Sequence, residues 1–135
     1  MKALLTSLVL LAAASGSVFA GESASERLAA VLAAQPEETQ ARYEFRHPRA
    51  TLEFFGIKPG MTILDIGPGN GIYTIAAARQ VGPQGKVFAI DIEPKMIERV
   101  EKNAAAAGVE NIEARAADVY DMPYDDRTFD VITMI

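Results

Sequence analysis

The chain has 135 residues, half of them hydrophobic, with 13 basic and 18 acidic side chains and a net charge of −5. That acidic balance argues against a nucleic-acid partner, whose phosphates reward clustered lysine and arginine. No cysteine is present, which excludes a disulfide framework, a thiolate metal site and lipid attachment at a cysteine.

Residues 1–20 read as an address rather than a fold. Lys2 supplies a positive start, Leu4 to Ala14 is apolar apart from Thr6 and Ser7, and Val18-Phe19-Ala20 ends on small residues suited to cleavage before Gly21. The expected product is exported, to the periplasm of a bacterium, with no membrane span left after cleavage. The alternative is a membrane anchor formed by an uncleaved leader, although the apolar run is shorter than the roughly 20 residues a span needs. Cleavage leaves 115 residues, one domain at most, with 12 basic against 18 acidic side chains and a net charge of −6.

Residues 21–56 are predicted to be a helical segment. Ser23-Ala24-Ser25-Glu26 is a capping box ahead of the alanine-rich run Arg27 to Ala34, which Pro36 ends. The polar stretch from Glu37 to Arg46 is expected to continue as helix. Pro48 suits the first position of a helix over Arg49 to Phe55, stopped by Gly56, with Leu52, Phe55 and Phe54 toward a sheet. Lys58-Pro59-Gly60 is a turn into the next element.

From there to Ile135 the pattern alternates. Met61 to Leu64 reads as a buried strand, Asp65 to Gly71 as a glycine-rich turn, and Ile72 to Ala78 as helix. Val87 to Ile90 is a second strand closed by Asp91, twenty residues past Gly71. Pro94 to Ala107 is a helix with Met96, Ile97, Val100 and Ala104 on its apolar face, Glu98 and Lys102 paired outside, and Gly108 at its end. Asn111 to Ala116 and Phe129 to Ile135 supply a third and a fourth strand. Strands alternating with helices predict an α/β fold, a doubly wound parallel sheet of order 3-2-1-4 with right-handed crossovers. Such a sheet binds ligands over the carboxyl ends of its first two strands.

A strand, a glycine turn, a helix and an acid closing the next strand are suited to gripping an adenosine cofactor. The glycine spacing narrows the choice. A dinucleotide fingerprint counted from Gly67 needs glycine at position 72, where Ile72 stands. The pattern is instead D-x-G-x-G-x-G, and Asp65 at its mouth repels a pyrophosphate but favours a cation. S-adenosyl-L-methionine carries a sulfonium and an ammonium, so the charge fits that cofactor. A nicotinamide-dependent oxidoreductase is disfavoured by Ile72 and Asp65.

The stretches ILDIGPGNG, VFAIDIEPKMI and ARAADVYDMPYDDRTFDVI, in this order over some seventy residues, resemble a class I S-adenosylmethionine-dependent methyltransferase from about Thr51 to Ile135. More loosely, RHPRATLEFFGIKPGM resembles a group of predicted bacterial methyltransferases with signal peptides. The resemblance implies a Rossmann-like domain over 57–135. It also implies that Gly67 and Gly69 let the backbone pass beneath the methionine part of the cofactor, with Gly71 the third cofactor-binding glycine, while Asp65 orients its ammonium. Asp91 would hold the ribose diol and Ile92 would pack on adenine. Asp118 would accept from the adenine amino group, with the Val119 N–H reaching a ring nitrogen. Against these roles, Asp91 could cap the Pro94 helix and Asp118 could be a plain loop acid. Pro68 and Asn70 read as fillers of the turn.

Methyl transfer asks the protein mainly for in-line positioning and, where needed, a base. No base can be named from the C-terminal half, and no metal is implied. His47, beside Tyr43 and Arg46, is one candidate, with a helix-start or surface histidine as its alternative; Tyr73 could line the cofactor's methionine end or serve helix packing. The acceptor is expected to be a small molecule, and the oligomeric state has no signal. The family's sheet has seven strands and this sequence supplies four, so the domain reads as partial, with an apolar, unpaired fourth strand. The expectation is a marginally stable, aggregation-prone chain of weak activity. The competing reading is a truncated, catalytically inactive nucleoside-binding remnant.

Overall fold

A computed structural model describes residues 23–118, 120 and 122–135. The leader, its cleavage point before Gly21, and Val119 lie outside the described residues. Helices α1 (Ala24–Ala33), α2 (Glu37–Gln40), α3 (Tyr43–Arg46) and α4 (Pro48–Phe54) precede β1 (Thr62–Ile66), α5 (Ile72–Val81), β2 (Lys86–Asp91), α6 (Pro94–Ala106), β3 (Ile112–Ala116) and β4 (Val131–Thr133).

The four strands form one parallel sheet of order β3-β2-β1-β4, as the alternating pattern predicts. Ile63 pairs in register with Val87 on one side and Val131 on the other. Ile63 and Val87 are completely buried, in one core with Leu28, Leu32, Leu52, Tyr73, Ala77 and Val81. Because strand side chains alternate, this face carries Ile63, Val87 and Ile112 and is the one α5 covers. The opposite face carries Leu64 and Phe88, and the crossover from β3 to β4 passes over it. There Phe88, Tyr124 and Phe129 pack edge to face with ring centroids 5.0–5.5 Å apart. Lys86 stands over Phe88 and pairs with Glu113 at 2.6 Å.

The N-terminal segment departs from expectation in two places. The capping box forms, with the Ser23 hydroxyl accepting from the Glu26 N–H and Glu26 accepting from the Ser23 N–H. Beyond Pro36, however, the chain makes two four-residue helices rather than one continuous helix. The break falls where Gln40 turns its side-chain amide back to the carbonyls of Gln35 and Ala33, so local side-chain bonds compete with propagation. His47 adopts the left-handed conformation, φ 45°, between α3 and α4. Finally, α4 packs on α1 and α5 rather than on the sheet. Leu52 is buried and Phe55 partly so, but Phe54 is 86% exposed. α5 already occupies that face of the sheet, leaving α4 an outer layer.

In α6 the buried face is Ile97, Val100 and Ala104, with Met96 partly covered. Glu98 and Lys102 are both exposed, and no ion pair joins them; an exposed pair of this kind gains too little to hold two long side chains in one geometry. β4 pairs over three residues only, leaving Ile132, Met134 and Ile135 exposed. Among the described residues no helix is long and apolar enough to cross a membrane.

The α5–β2 connection is tight. Asn111 caps the end of α5, its amide donating to the Ala78 and Gly82 carbonyls at 2.8 and 2.9 Å. Gly85 lies against the same corner, and a Cβ there would fall 2.5 Å from Val81 Cβ and 2.7 Å from the Met61 carbonyl oxygen. Gly85→Ala is therefore expected to destabilise the chain by about 1–3 kcal/mol, read as a lowered urea midpoint.

Candidate functional site

β1 delivers the chain to the sheet's carboxyl edge, and the turn at Gly67 to Gly71 reverses it into α5. Gly67, Gly69 and Gly71 have φ of 69°, 59° and 84°, a region costly for any side chain with a Cβ. The Gly67 N–H donates to the Ile90 carbonyl at 2.9 Å, tying the turn to the end of β2. The Gly71 N–H closes it onto the Pro68 carbonyl at 2.9 Å. From α6, the Asn103 amide holds the Asn70 carbonyl at 2.7 Å. Asn70 is thus a backbone anchor as well as a filler, and only the fold brings Asn103 within its reach.

A small apolar cleft of about 120 Å³ opens beside the turn, lined by Ile66, Gly67, Ile90, Asp91, Ile92, Ala117 and Met122. Three of the candidate residues, Gly67, Asp91 and Ile92, therefore meet in one place. Asp91 is half-buried, and its Oδ1 accepts from the Glu93 N–H at 2.9 Å. The capping alternative does not hold, because Glu93 is the N-cap of α6 and no side chain caps it; the Asp91 bond is a local turn ahead of the helix that uses one oxygen and leaves Oδ2 able to accept elsewhere. Ile92 is 66% exposed, an apolar surface beside a carboxylate. Ile66, Ile90 and Ala117 escape sequence reasoning, although each immediately precedes a motif residue; Met122 has no such signal.

The remaining candidates lie around this cleft. An added Cβ at Gly67 or Gly69 would meet nothing within 4 Å, so space stands open over the turn. At Gly71 it would reach Ile75 and Val100 at 3.6 and 3.7 Å, making that glycine a packing position between α5 and α6. Asp118 is exposed, does not line the cleft, and bonds the Tyr120 N–H at 2.9 Å. Tyr73 is 9% exposed and its hydroxyl donates to the Arg46 carbonyl, so it ties the N-terminal segment to the start of α5. His47 is exposed at the left-handed corner before α4, the helix-start reading. A larger cavity of about 260 Å³, lined in part by Gln35, Arg42, Asn70 and Asn103, shares no lining residue with the cleft.

Asp65 is not at the mouth. It is 4% exposed, because β1 turns it to the face that α5 covers. Its carboxylate accepts from the Thr74 hydroxyl at 2.6 Å and the Thr133 hydroxyl at 2.9 Å. Burial pushes its pKa above the ordinary 3.8, against the pull of the two hydroxyls. No basic side chain pairs with it among the described residues.

The fold is a doubly wound, Rossmann-like α/β domain with a glycine turn at the carboxyl edge of its sheet. The model of a family described as a methyltransferase domain matches residues 57–135, and the chain belongs to that family. An arsenite methyltransferase of Halobacterium salinarum is 37% identical over 79 residues, 58% of this chain and 20% of that protein. A demethylmenaquinone methyltransferase of Bacillus cytotoxicus is 33% identical over 86 residues, 64% of this chain and 36% of that protein. Among solved structures, a SAM-dependent methyltransferase from Aquifex aeolicus superposes with a TM-score of 0.65 at 32% identity, over 79% of this chain and 55% of that one. The chain thus spans a fifth to about a third of these two curated relatives.

The Asp65 shift has a consequence for stability. Since its folded-state pKa is raised above 3.8, the interior favours the protonated acid. The stability this supplies is complete below the ordinary value and lost as pH rises through the folded-state one. Asp65→Asn removes the titration, so urea denaturation from about pH 4 to 7 should show a flatter loss and a higher midpoint at neutral pH than the unaltered chain.

Proposed function

We propose that this chain binds S-adenosyl-L-methionine and takes part in methyl transfer to a small-molecule acceptor. One observation carries the reading. An apolar cleft with an acid on its wall adjoins an open glycine turn, and behind that turn lies a buried carboxylate with no cation of its own. The residues fit the cofactor's chemistry. Asp91 Oδ2 accepts from ribose hydroxyls, the apolar lining at Ile66, Ile92 and Met122 packs on adenine, and Gly67 and Gly69 leave room for the amino-acid part. Asp65 supplies the negative charge that an ammonium needs. Asp118, next in sequence to the cleft's Ala117, is assigned to the adenine amino group, and the Val119 N–H to a ring nitrogen. A dinucleotide fits worse, because Ile72 stands where its fingerprint needs a third glycine.

When bound, the cofactor supplies a methyl group already activated on a sulfonium. What is asked of this chain is orientation and exclusion of water around it. The relatives are named for action on arsenite and on demethylmenaquinone, both small molecules, and the acidic composition is poorly suited to a nucleic-acid acceptor.

Calorimetric titration with S-adenosylhomocysteine tests the site. The full chain should bind it, and Asp91→Ala should cost ~2 kcal/mol or more of affinity through lost ribose hydrogen bonds. Unchanged affinity removes Asp91 from the site, and tighter binding of NADH replaces the reading with a nicotinamide one. Binding without transfer to any offered acceptor would favour the inactive nucleoside-binding alternative.

The leader supports export as part of the same reading. Protein recovered from the periplasm should begin at Gly21 by N-terminal sequencing; a chain that keeps Met1 and sediments with membranes would instead be anchored by its leader.

A further inference from the structure

We propose that Thr74 and Thr133 are positioning residues that hold the Asp65 carboxylate in place as the counter-charge for the ammonium of the bound cofactor, so that β4 becomes part of the cofactor site. The inference rests on the cofactor reading above and adds two residues from separate elements. Thr74 is the third residue of α5 and Thr133 the last of β4; both are buried, at 0% and 4% exposure.

Packing alone does not call for hydroxyls at these positions. Valine fills the volume of threonine, and a buried hydroxyl is costly unless it is bonded. Both hydroxyls find the same partner, at 2.6 Å on one carboxylate oxygen and 2.9 Å on the other. Thr133 has one proton and two acceptors within reach. The Leu64 carbonyl is 3.4 Å away against 2.9 Å for Asp65, and the shorter, charge-assisted bond is the stronger. The Asp65 carboxylate is therefore clamped from two sides.

Among the described residues no basic side chain pairs with it. Its register neighbours on the sheet are Ala89 and Thr133. On the surrounding elements, Tyr73 donates to the Arg46 carbonyl and Arg79 to the Ala107 carbonyl. Lys86 pairs with Glu113, and Asp91 accepts from the Glu93 N–H. A carboxyl group held in an apolar interior by two neutral donors is completed either by a proton or by a cation. Adjacent to the glycine turn, that cation is the amino group of the cofactor.

The test is calorimetric titration of the full chain between about pH 5 and 8, with two ligands. S-adenosylhomocysteine carries the ammonium; 5′-methylthioadenosine has the same thioether nucleoside without it. For the unaltered chain, affinity for S-adenosylhomocysteine should fall as acid protonates Asp65. Thr133→Val and Thr74→Val should each move that fall about one pH unit upward, a loss of about tenfold within the window. Thr133→Ser should restore the original profile, and 5′-methylthioadenosine should bind all variants alike at every pH. Thr74→Val stands in if Thr133→Val fails to fold. An unshifted profile in the valine variants, or equal weakening of both ligands, overturns the inference and leaves the cofactor reading intact. Failure of the unaltered chain to bind either ligand overturns the cofactor reading itself.

Discussion

The β1–α5–β2 crossover constrains everything else in this molecule. Ile63 and Val87, side by side in parallel register and fully buried, hold α5 against the sheet. A right-handed crossover of this kind places the turn before α5 and the end of β2 on one edge. Gly67 bonded to Ile90 and Asp91 lining the same cleft as Gly67 are both products of that register. Slipping β2 by one residue would turn Val87 away from the core and move Asp91 off the cleft.

Against this apolar interior, Asp65 is the exception. Two positions along the strand from Ile63 and on the same face, it puts a carboxylate where the fold wants a hydrocarbon. Its cost is reduced by two hydroxyls that come from elements distant in sequence, and in the absence of a cation it is only reduced. A buried charge without a counter-ion is a poor way to stabilise a domain. On the reading proposed above, the ligand's ammonium brings the missing charge, and the same residue would link stability, pH and affinity.

The two faces of the sheet are finished differently. One is sealed by α5, with α1 and α4 as an outer layer, and Tyr73 ties that layer to the start of α5 through the Arg46 carbonyl. The other is covered by Tyr124 and Phe129 of the crossover packed on Phe88 of β2, and by charged side chains over β2 and β3, while Ile132 of β4 stays open. β4 is held by three paired residues and by Thr133, so the edge strand depends on the same polar contact that organises Asp65.

Strand and helix identity, sheet order and the motif residues Gly67, Asp91 and Ile92 were legible from sequence, because they follow from local periodicity and from chemistry at fixed spacing. The helix break at Gln40 was not, since a side chain bonding back to nearby backbone leaves no periodic mark. Nor were Asn103 on Asn70, Ile66 and Met122 in the cleft, or the clamp of Thr74 and Thr133 on Asp65. Each depends on how separate elements pack, and Asn103 and Thr133 come from tens of positions away. The sequence by itself determined which residues could bend, bury or carry charge, for these are properties of a residue and its neighbours along the chain. Only the tertiary structure decided where Asp65 lies and what holds it, because burial and partnership are set by how distant segments pack.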